Sequence, residues 1–266
     1  MSVAGAFERT RADGRAALVG YYPAGFPTFD ESITAVETMI DAGCDIIEVG
    51  LPYSDPVMDG IAIQRAAATA LAGGTRTREV LRLVEAVSGR GVPILVMTYW
   101  NPIEKYGVEA FARDFAAAGG AGLITPDLIP EEADDWLAAS DEHDLDRVFL
   151  VAPSSTAERI ARTVAVTRGF VYAQSIMGIT GERDQTSSAA PGLVARTRAA
   201  TDLPIGVGVG VRNGEQAAEV ATYADAVIVG SAMVSCLLND PDNGIERLRD
   251  LTVELAAGVT RRPIDA

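Results

Sequence analysis

Residues 225–238 read DAVIVGSAMVSCLL, a short β-branched run that passes through one glycine directly into a helical pattern. A strand feeding straight into a helix is one βα unit, and the same alternation recurs along the chain. Strand-like runs occur at AALVGYY (16–22), DIIEVGL (45–51), PILVMTY (93–99), GLITPD (122–127), RVFLVAP (147–153), FVYAQS (170–175), PIGVGVG (204–210) and DAVIVG (225–230). Helical patterns follow at 30–42, 79–87, 108–118, 131–140, 157–166, 193–200, 215–221 and 245–256, with an extra N-terminal helix near residues 2–12. Apolar strands of this kind need cover on both faces, which a closed parallel barrel or an open doubly wound sheet provides. No GxGxxG follows the first run, so the reading is α/β, a single (β/α)8 TIM barrel over residues 1–266 as one domain.

Composition removes several classes of function. Acidic residues outnumber basic ones 37 to 22, for a formal charge of −15, and no basic stripe offsets the repulsion from a phosphate backbone. Nucleic acid is therefore not expected as a partner. No window of ~18 unbroken apolar residues suggests a membrane span. The first residues carry Glu8 and Asp13 among arginines and lack the apolar centre of a signal peptide, so a cytoplasmic location is expected. Cys44 and Cys236 are far apart in sequence and read as core thiols. His143 is the only histidine and lies in the polar stretch SDEHDLDR (140–147), where an exposed loop residue is expected. One histidine cannot build a multi-histidine metal centre, and no metal is expected. Lys105 is the only lysine, placed after NPIE where a helix is expected to begin, and it reads as solvated rather than as a Schiff-base former. Catalysis is left to Asp, Glu, Tyr, Ser, Thr and the backbone.

The longest irregular stretches, 52–64 and 176–192, follow the second and sixth strand runs. Barrel chemistry sits in loops after the C-terminal strand ends, and long loops there commonly act as lids. Glu48 shares a strand face with Ile46 and Gly50. If that face points inward, burial raises its pKa into the range where one carboxyl group can both donate and accept a proton. Asp59, in MDG, is either an Asp-Gly turn or a second, differently tuned carboxylate on the loop over the strand mouth. Gly206, Gly208 and Gly210 alternate, and Gly230-Ser231 opens a helix with Ser231 as candidate N-cap. Amides at such a helix start bind phosphate without Lys or Arg, although alternate glycines also leave room for interior packing.

The stretch IEVGLPYSDPVMDG (47–60) resembles the most distinctive motif of the tryptophan synthase α subunit family. Ordered matches follow at PAGFP (23–27), MTYWNPIEKYG (97–107), PDLIPEE (126–132), YAQSIMGITG (172–181), GVGV (208–211) and VGSAMV (229–234). The resemblance implies retro-aldol cleavage of indole-3-glycerol phosphate to indole and glyceraldehyde 3-phosphate. It places Glu48 on the catalytic glutamate and Asp59 on the aspartate that binds the indole N–H. It also places Tyr172 beside the scissile bond, Thr180 on a loop that closes over the site, and Gly181, Gly210, Gly230 and Ser231 at phosphate contacts, with Gly208 among the substrate-binding residues. The implied partner is a β subunit in an α2β2 complex, met through Pro52 and Asp55. Pyridoxal phosphate is expected only in that partner, and this chain is expected to carry no cofactor. Ile61, Ile129, Ile176, Met177 and Val209 depart from common family patterns without removing a catalytic group. A stand-alone lyase of the same chemistry, a non-catalytic barrel that regulates a partner, and a different phosphate-binding barrel such as a sugar-phosphate isomerase are the alternative readings.

Overall fold

The computed structural model describes residues 2–174 and 189–260. Nine parallel strands form one sheet: β1 (Ala17–Pro23), β2 (Ile46–Gly50), β3 (Ile94–Met97), β4 (Gly122–Ile124), β5 (Asp146–Val148), β6 (Leu150–Val151), β7 (Val171–Gln174), β8 (Ile205–Gly208) and β9 (Ala226–Val229). The order β5-β4-β3-β2-β1-β9-β8-β7-β6 begins and ends on β5 and β6, which are neighbours in sequence. The ring therefore closes through the covalent chain at Phe149, giving the TIM barrel with β5 and β6 as two halves of its fifth stave.

That division corrects the single run expected at 147–153. Val148 faces the barrel interior while Phe149 is buried in the outer layer, so the side-chain alternation continues across the break. The Phe149 carbonyl accepts from the Tyr172 amide at 3.1 Å. Of the other expected runs, PILVMTY, GLITPD and PIGVGVG overshoot mainly at their C-terminal ends, whereas AALVGYY stops one residue short of β1's end. GLITPD, for example, keeps the ladder only through Ile124, where Pro126 and Asp127 turn the chain into a loop.

Strand alternation sorts the core into two regions. Ala17, Val19, Ile46, Leu95, Ile124, Val148, Phe170, Ala226 and Ile228 fill the barrel, while the alternate residues pack beneath the helices. Val3, Ala6 and Phe7 of the N-terminal helix Val3–Ala12 join the interior group, with Phe7 and Phe170 rings 5.7 Å apart, so this helix stops the N-terminal end of the barrel. At the same end Asp45 receives both terminal nitrogens of Arg15 at 2.7 and 2.8 Å and the Leu18 amide at 2.9 Å. Asp225 plays the matching part before β9, accepting from the Ile205 amide at 3.0 Å and from Arg198 at 2.8 Å.

Several helices differ from the sequence reading. Helix Ile61–Ala72 occupies the end of the stretch read as irregular to residue 64. Its N-cap is Gly60, which offers no side-chain oxygen, so the usual start signal is missing. Helix Trp100–Tyr106 covers NPIE, where a helix was expected to begin, but it is short, so Lys105 lies exposed in its last turn. The segment expected as helix 131–140 is a 3-10 turn, Pro130–Glu132, followed by helix Asp134–Glu142. His143 does lie in the turn between a helix and the next strand, but it is half-buried rather than exposed: it caps helix Asp134–Glu142 and sets Nε2 2.8 Å from Glu109 Oε1. Cys44 and Cys236 are both buried free thiols. Among the described residues no helix is long and apolar enough to cross a membrane.

Candidate active site

Glu48 projects into the barrel from β2 on the face it shares with Ile46 and Gly50, as the alternation requires. It is completely buried, and among the described residues neither carboxylate oxygen has a hydrogen-bond partner. An ionised carboxylate there would lose its hydration without compensation, so burial pushes the pKa from 4.5 to about 8. Glu48 is therefore mostly protonated at neutral pH and can still lose its proton at modest cost.

Asp59 lines the same cavity from the loop after β2. Burial raises its pKa, and a hydrogen bond from Tyr99 opposes that rise. The two carboxyl groups thus share a cavity but differ in surroundings, one unpartnered and the other held. The holding residue, Tyr99, was not singled out in the sequence. Its hydroxyl donates to Asp59 Oδ1 at 3.2 Å and accepts the amides of Val57 at 3.1 Å and Met58 at 2.9 Å. Its ring packs 5.1 Å from that of Tyr53 on the same loop. Gln64, one turn into helix Ile61–Ala72, donates to the Asp59 carbonyl at 2.7 Å. The loop that carries Asp59 is therefore anchored from β3's end and from the helix that follows it.

Across the cavity, Gly208, Gly210, Gly230 and Ser231 line the wall with Tyr172. Helix Ser231–Asn239 begins immediately after β9, so its first amides face the cavity mouth without intrahelical acceptors. The N-cap is Gly230, not Ser231, which is the first helical residue. A single residue, Gly230, separates β9 from the helix and takes the N-cap position, so Ser231 falls one place inside it. Gly210 has φ +77°, a conformation natural to glycine, and carries the backbone around the mouth.

The alternating glycines prove to have a packing role as well. A Cβ at Gly206 would lie 2.9 Å from the Phe170 ring, and one at Gly208 would lie 2.6 Å from the Tyr172 hydroxyl. Gly206 does not line the cavity, and Gly208 does so by leaving space for Tyr172. Tyr21 and Gln174 are further polar lining residues absent from the sequence reading. Both stand at C-terminal strand ends on the inward alternation, which was the available signal. The apolar wall comes from Met58, Ile63, Met97, Pro126, Leu150 and Ile228. The cavity thus joins an apolar chamber, two carboxyl groups and a helix start suited to phosphate.

Pro52 is buried at the base of the loop, whereas Asp55 is exposed and accepts from Ser54 Oγ at 2.5 Å. Val57 and Ile61 are the prominent exposed apolar residues of this rim, 70% and 67% exposed. Thr180 and Gly181, with Ile176 and Met177, lie outside the described residues. Among the described residues, Glu109, Glu142 and His143 form the one group with metal-ligand spacing, and none of them lines the cavity.

The family model for the tryptophan synthase alpha chain matches residues 7–260. The tryptophan synthase alpha chain of Mycobacterium marinum is 62% identical over 256 residues, covering 96% of this chain and 94% of that one. A solved structure of Mycobacterium tuberculosis tryptophan synthase superposes with a TM-score of 0.92 at 60% identity, covering 97% of each chain. The alpha chain structure from Legionella pneumophila keeps a TM-score of 0.88 at 29% identity, again over 97% of each chain. The chain belongs to the tryptophan synthase alpha chain family, carbon–carbon lyases of tryptophan biosynthesis that cleave indole-3-glycerol phosphate.

Proposed function

We propose that Glu48 is the proton shuttle of this cleavage and that Asp59 holds the indole nitrogen. The observation that carries the reading is the complete burial of Glu48, both oxygens unpartnered, in the cavity that also holds Asp59 and the start of helix Ser231–Asn239. Protonated Glu48 gives its proton to indole C3 while the nitrogen lone pair moves into the ring. The N–H becomes more acidic as positive charge develops there, and the Asp59 carboxylate stabilises it. Ionised Glu48 then takes the proton of the chain hydroxyl beside the ring. The bond between C3 and the hydroxyl-bearing carbon breaks, and its electron pair restores the neutral indole. The products are indole and glyceraldehyde 3-phosphate, and Glu48 ends protonated as it began.

The phosphate is received by the amides around Gly210, Gly230 and Ser231, with the helix dipole favouring negative charge. Tyr172 stands beside the scissile bond, with Gly208 making room for its hydroxyl. Thr180 and Gly181 enter the proposal through the motif match alone, as the closing loop and a phosphate contact. A β subunit in an α2β2 complex is the proposed recipient of indole, docking on the rim that holds Pro52, Asp55, Val57 and Ile61. Pyridoxal phosphate belongs to that partner in this reading. The only lysine here, Lys105, is exposed on helix Trp100–Tyr106 and does not line the cavity. A cytoplasmic location and a single barrel domain complete the proposal.

The test is indole release from indole-3-glycerol phosphate by the wild type, Glu48→Gln and Asp59→Asn, each with and without a β subunit. Losses of ~10²–10⁴-fold with substrate binding preserved support the roles. Undiminished turnover by Glu48→Gln removes Glu48 from the mechanism.

A further inference from the structure

We infer that the Tyr21 hydroxyl is a substrate-binding group, which donates a hydrogen bond to the chain hydroxyl whose proton Glu48 removes. The inference deepens the proposed function and rests on it.

Register supplies the first observation. Tyr21 and Glu48 are direct partners across the β1–β2 ladder, and both point into the barrel. Tyr21 is 8% exposed, so its phenol is almost as enclosed as the carboxyl group beside it. The second observation is where the ring points. A Cβ at Gly50 would lie 2.2 Å from the Tyr21 hydroxyl and 2.5 Å from Cζ, so the phenol tip rests on Gly50, two residues beyond Glu48 on the same inward face of β2. The ring edge faces the other way, toward Gly230, where a Cβ would meet it at 3.4 Å. Tyr21 thus stretches from the phosphate side of the cavity to the acid side.

The third observation is chemical. Among the described residues the Tyr21 hydroxyl makes no hydrogen bond and faces the cavity, whereas both Glu48 oxygens are buried and unpartnered. A buried carboxyl left this way costs ~1–3 kcal/mol, so its place at a register-paired position beside a phenol that lines the cavity points to a ligand. Among the described residues no hydrogen bond joins the two groups, and a hydroxyl that accepts from one and donates to the other would serve both. A substrate hydroxyl does so by accepting from Tyr21 and donating to Glu48. As that hydroxyl loses its proton and becomes a carbonyl, the Tyr21 bond persists and strengthens on the developing negative charge. A purely packing role would need only the ring.

Tyr21→Phe keeps the ring and removes the hydroxyl, and it is measured in the complex with a β subunit. Indole-3-propanol phosphate, which has the indole and phosphate but no chain hydroxyls, serves as an inert control ligand. The expected result is a loss of about tenfold or more in kcat/KM for cleavage, carried mainly by kcat, with the control's Kd within about twofold of wild type. Tyr21→Leu, which loses the ring too, is expected to weaken the control as well. A Tyr21→Phe enzyme with wild-type kcat/KM overturns the inference, as does an equal weakening of substrate and control. A wild-type complex that releases no indole overturns the proposed function itself, and this inference with it.

Discussion

The Tyr99 hydroxyl donates to Asp59 Oδ1 at 3.2 Å while accepting the amides of Val57 and Met58. One phenol therefore both folds the loop and sets the charge of the carboxylate it presents. Tyr99→Phe leaves two amides without their acceptor and Asp59 without its donor. The lost bond had lowered the Asp59 pKa against the effect of burial, so that pKa rises. If ionised Asp59 is the active form, the acid limb of the kcat/KM profile moves to higher pH, with a loss of about tenfold at neutral pH. A pH–rate series on the Tyr99→Phe enzyme checks the direction. An unmoved acid limb would uncouple the phenol from Asp59.

Glu48 links pH to stability with the opposite sign from a salt-bridged carboxylate. Below its ordinary pKa of 4.5 both folded and unfolded chains hold the proton, and ionisation costs nothing. Between 4.5 and about 8 only the unfolded chain releases it, so stability falls by about 1.4 kcal/mol per pH unit from this group. Above about 8 the penalty is constant. Glu48→Gln should therefore gain on wild type as pH rises through that window, whatever the fixed cost of burying an amide. Urea unfolding of both proteins across the window measures the difference, and a flat difference would mean that Glu48 ionises normally. The same pKa predicts that kcat/KM declines above about pH 8 as the proton donor is lost.

Gly208→Ala tests whether the glycine matters through Tyr172. The added Cβ would lie 2.6 Å from the Tyr172 hydroxyl and 3.1–3.2 Å from ring carbons, so the ring must swing. Overpacking of this kind costs ~1–3 kcal/mol. The expected outcome is that stability loss together with a fall in kcat/KM, read by thermal unfolding and indole release. Wild-type activity in Gly208→Ala would show that the position of Tyr172 is irrelevant to turnover.

Arg15 and Asp45 lie at the opposite end of the barrel. Asp45→Ala removes the carboxylate that holds the Arg15 guanidinium and the Leu18 amide, with Asp45 only 10% exposed at its side chain. Breaking such a pair from one side costs ~2–4 kcal/mol. The lowered unfolding midpoint should come with kcat close to wild type at 25 °C. A large drop in kcat at full folding would show that the two barrel ends are coupled.

Repetition made the barrel legible in the sequence, because eight apolar runs separated by helical patterns admit few closed arrangements. The divided stave at Phe149 was not legible. Side-chain alternation runs unbroken through RVFLVAP, and hydrogen-bond registry leaves no mark on residue type. Helix Ile61–Ala72 was hidden by a glycine N-cap, which carries no capping oxygen. Within the site, Glu48 stood out because an acid inside an apolar strand is costly, and Asp59 because it follows on the adjacent loop. Tyr99 and Tyr21 did not stand out, since an aromatic residue at a strand end looks the same whether its hydroxyl or its ring is in use. His143 was misread because its polar neighbours gave no hint of Glu109, which comes from a helix 34 residues earlier.

The seam at Phe149 has a further consequence. Tyr21, Glu48, Asp59 and Tyr99 all precede it, whereas Tyr172, Gly208, Gly210, Gly230 and Ser231 all follow it. The acid equipment therefore resides in one half-barrel and the anion cradle in the other. A molecule that reaches from Glu48 to Ser231 therefore sutures the halves across β1, where the ladder is continuous, and leaves the join at Phe149 to the covalent chain alone.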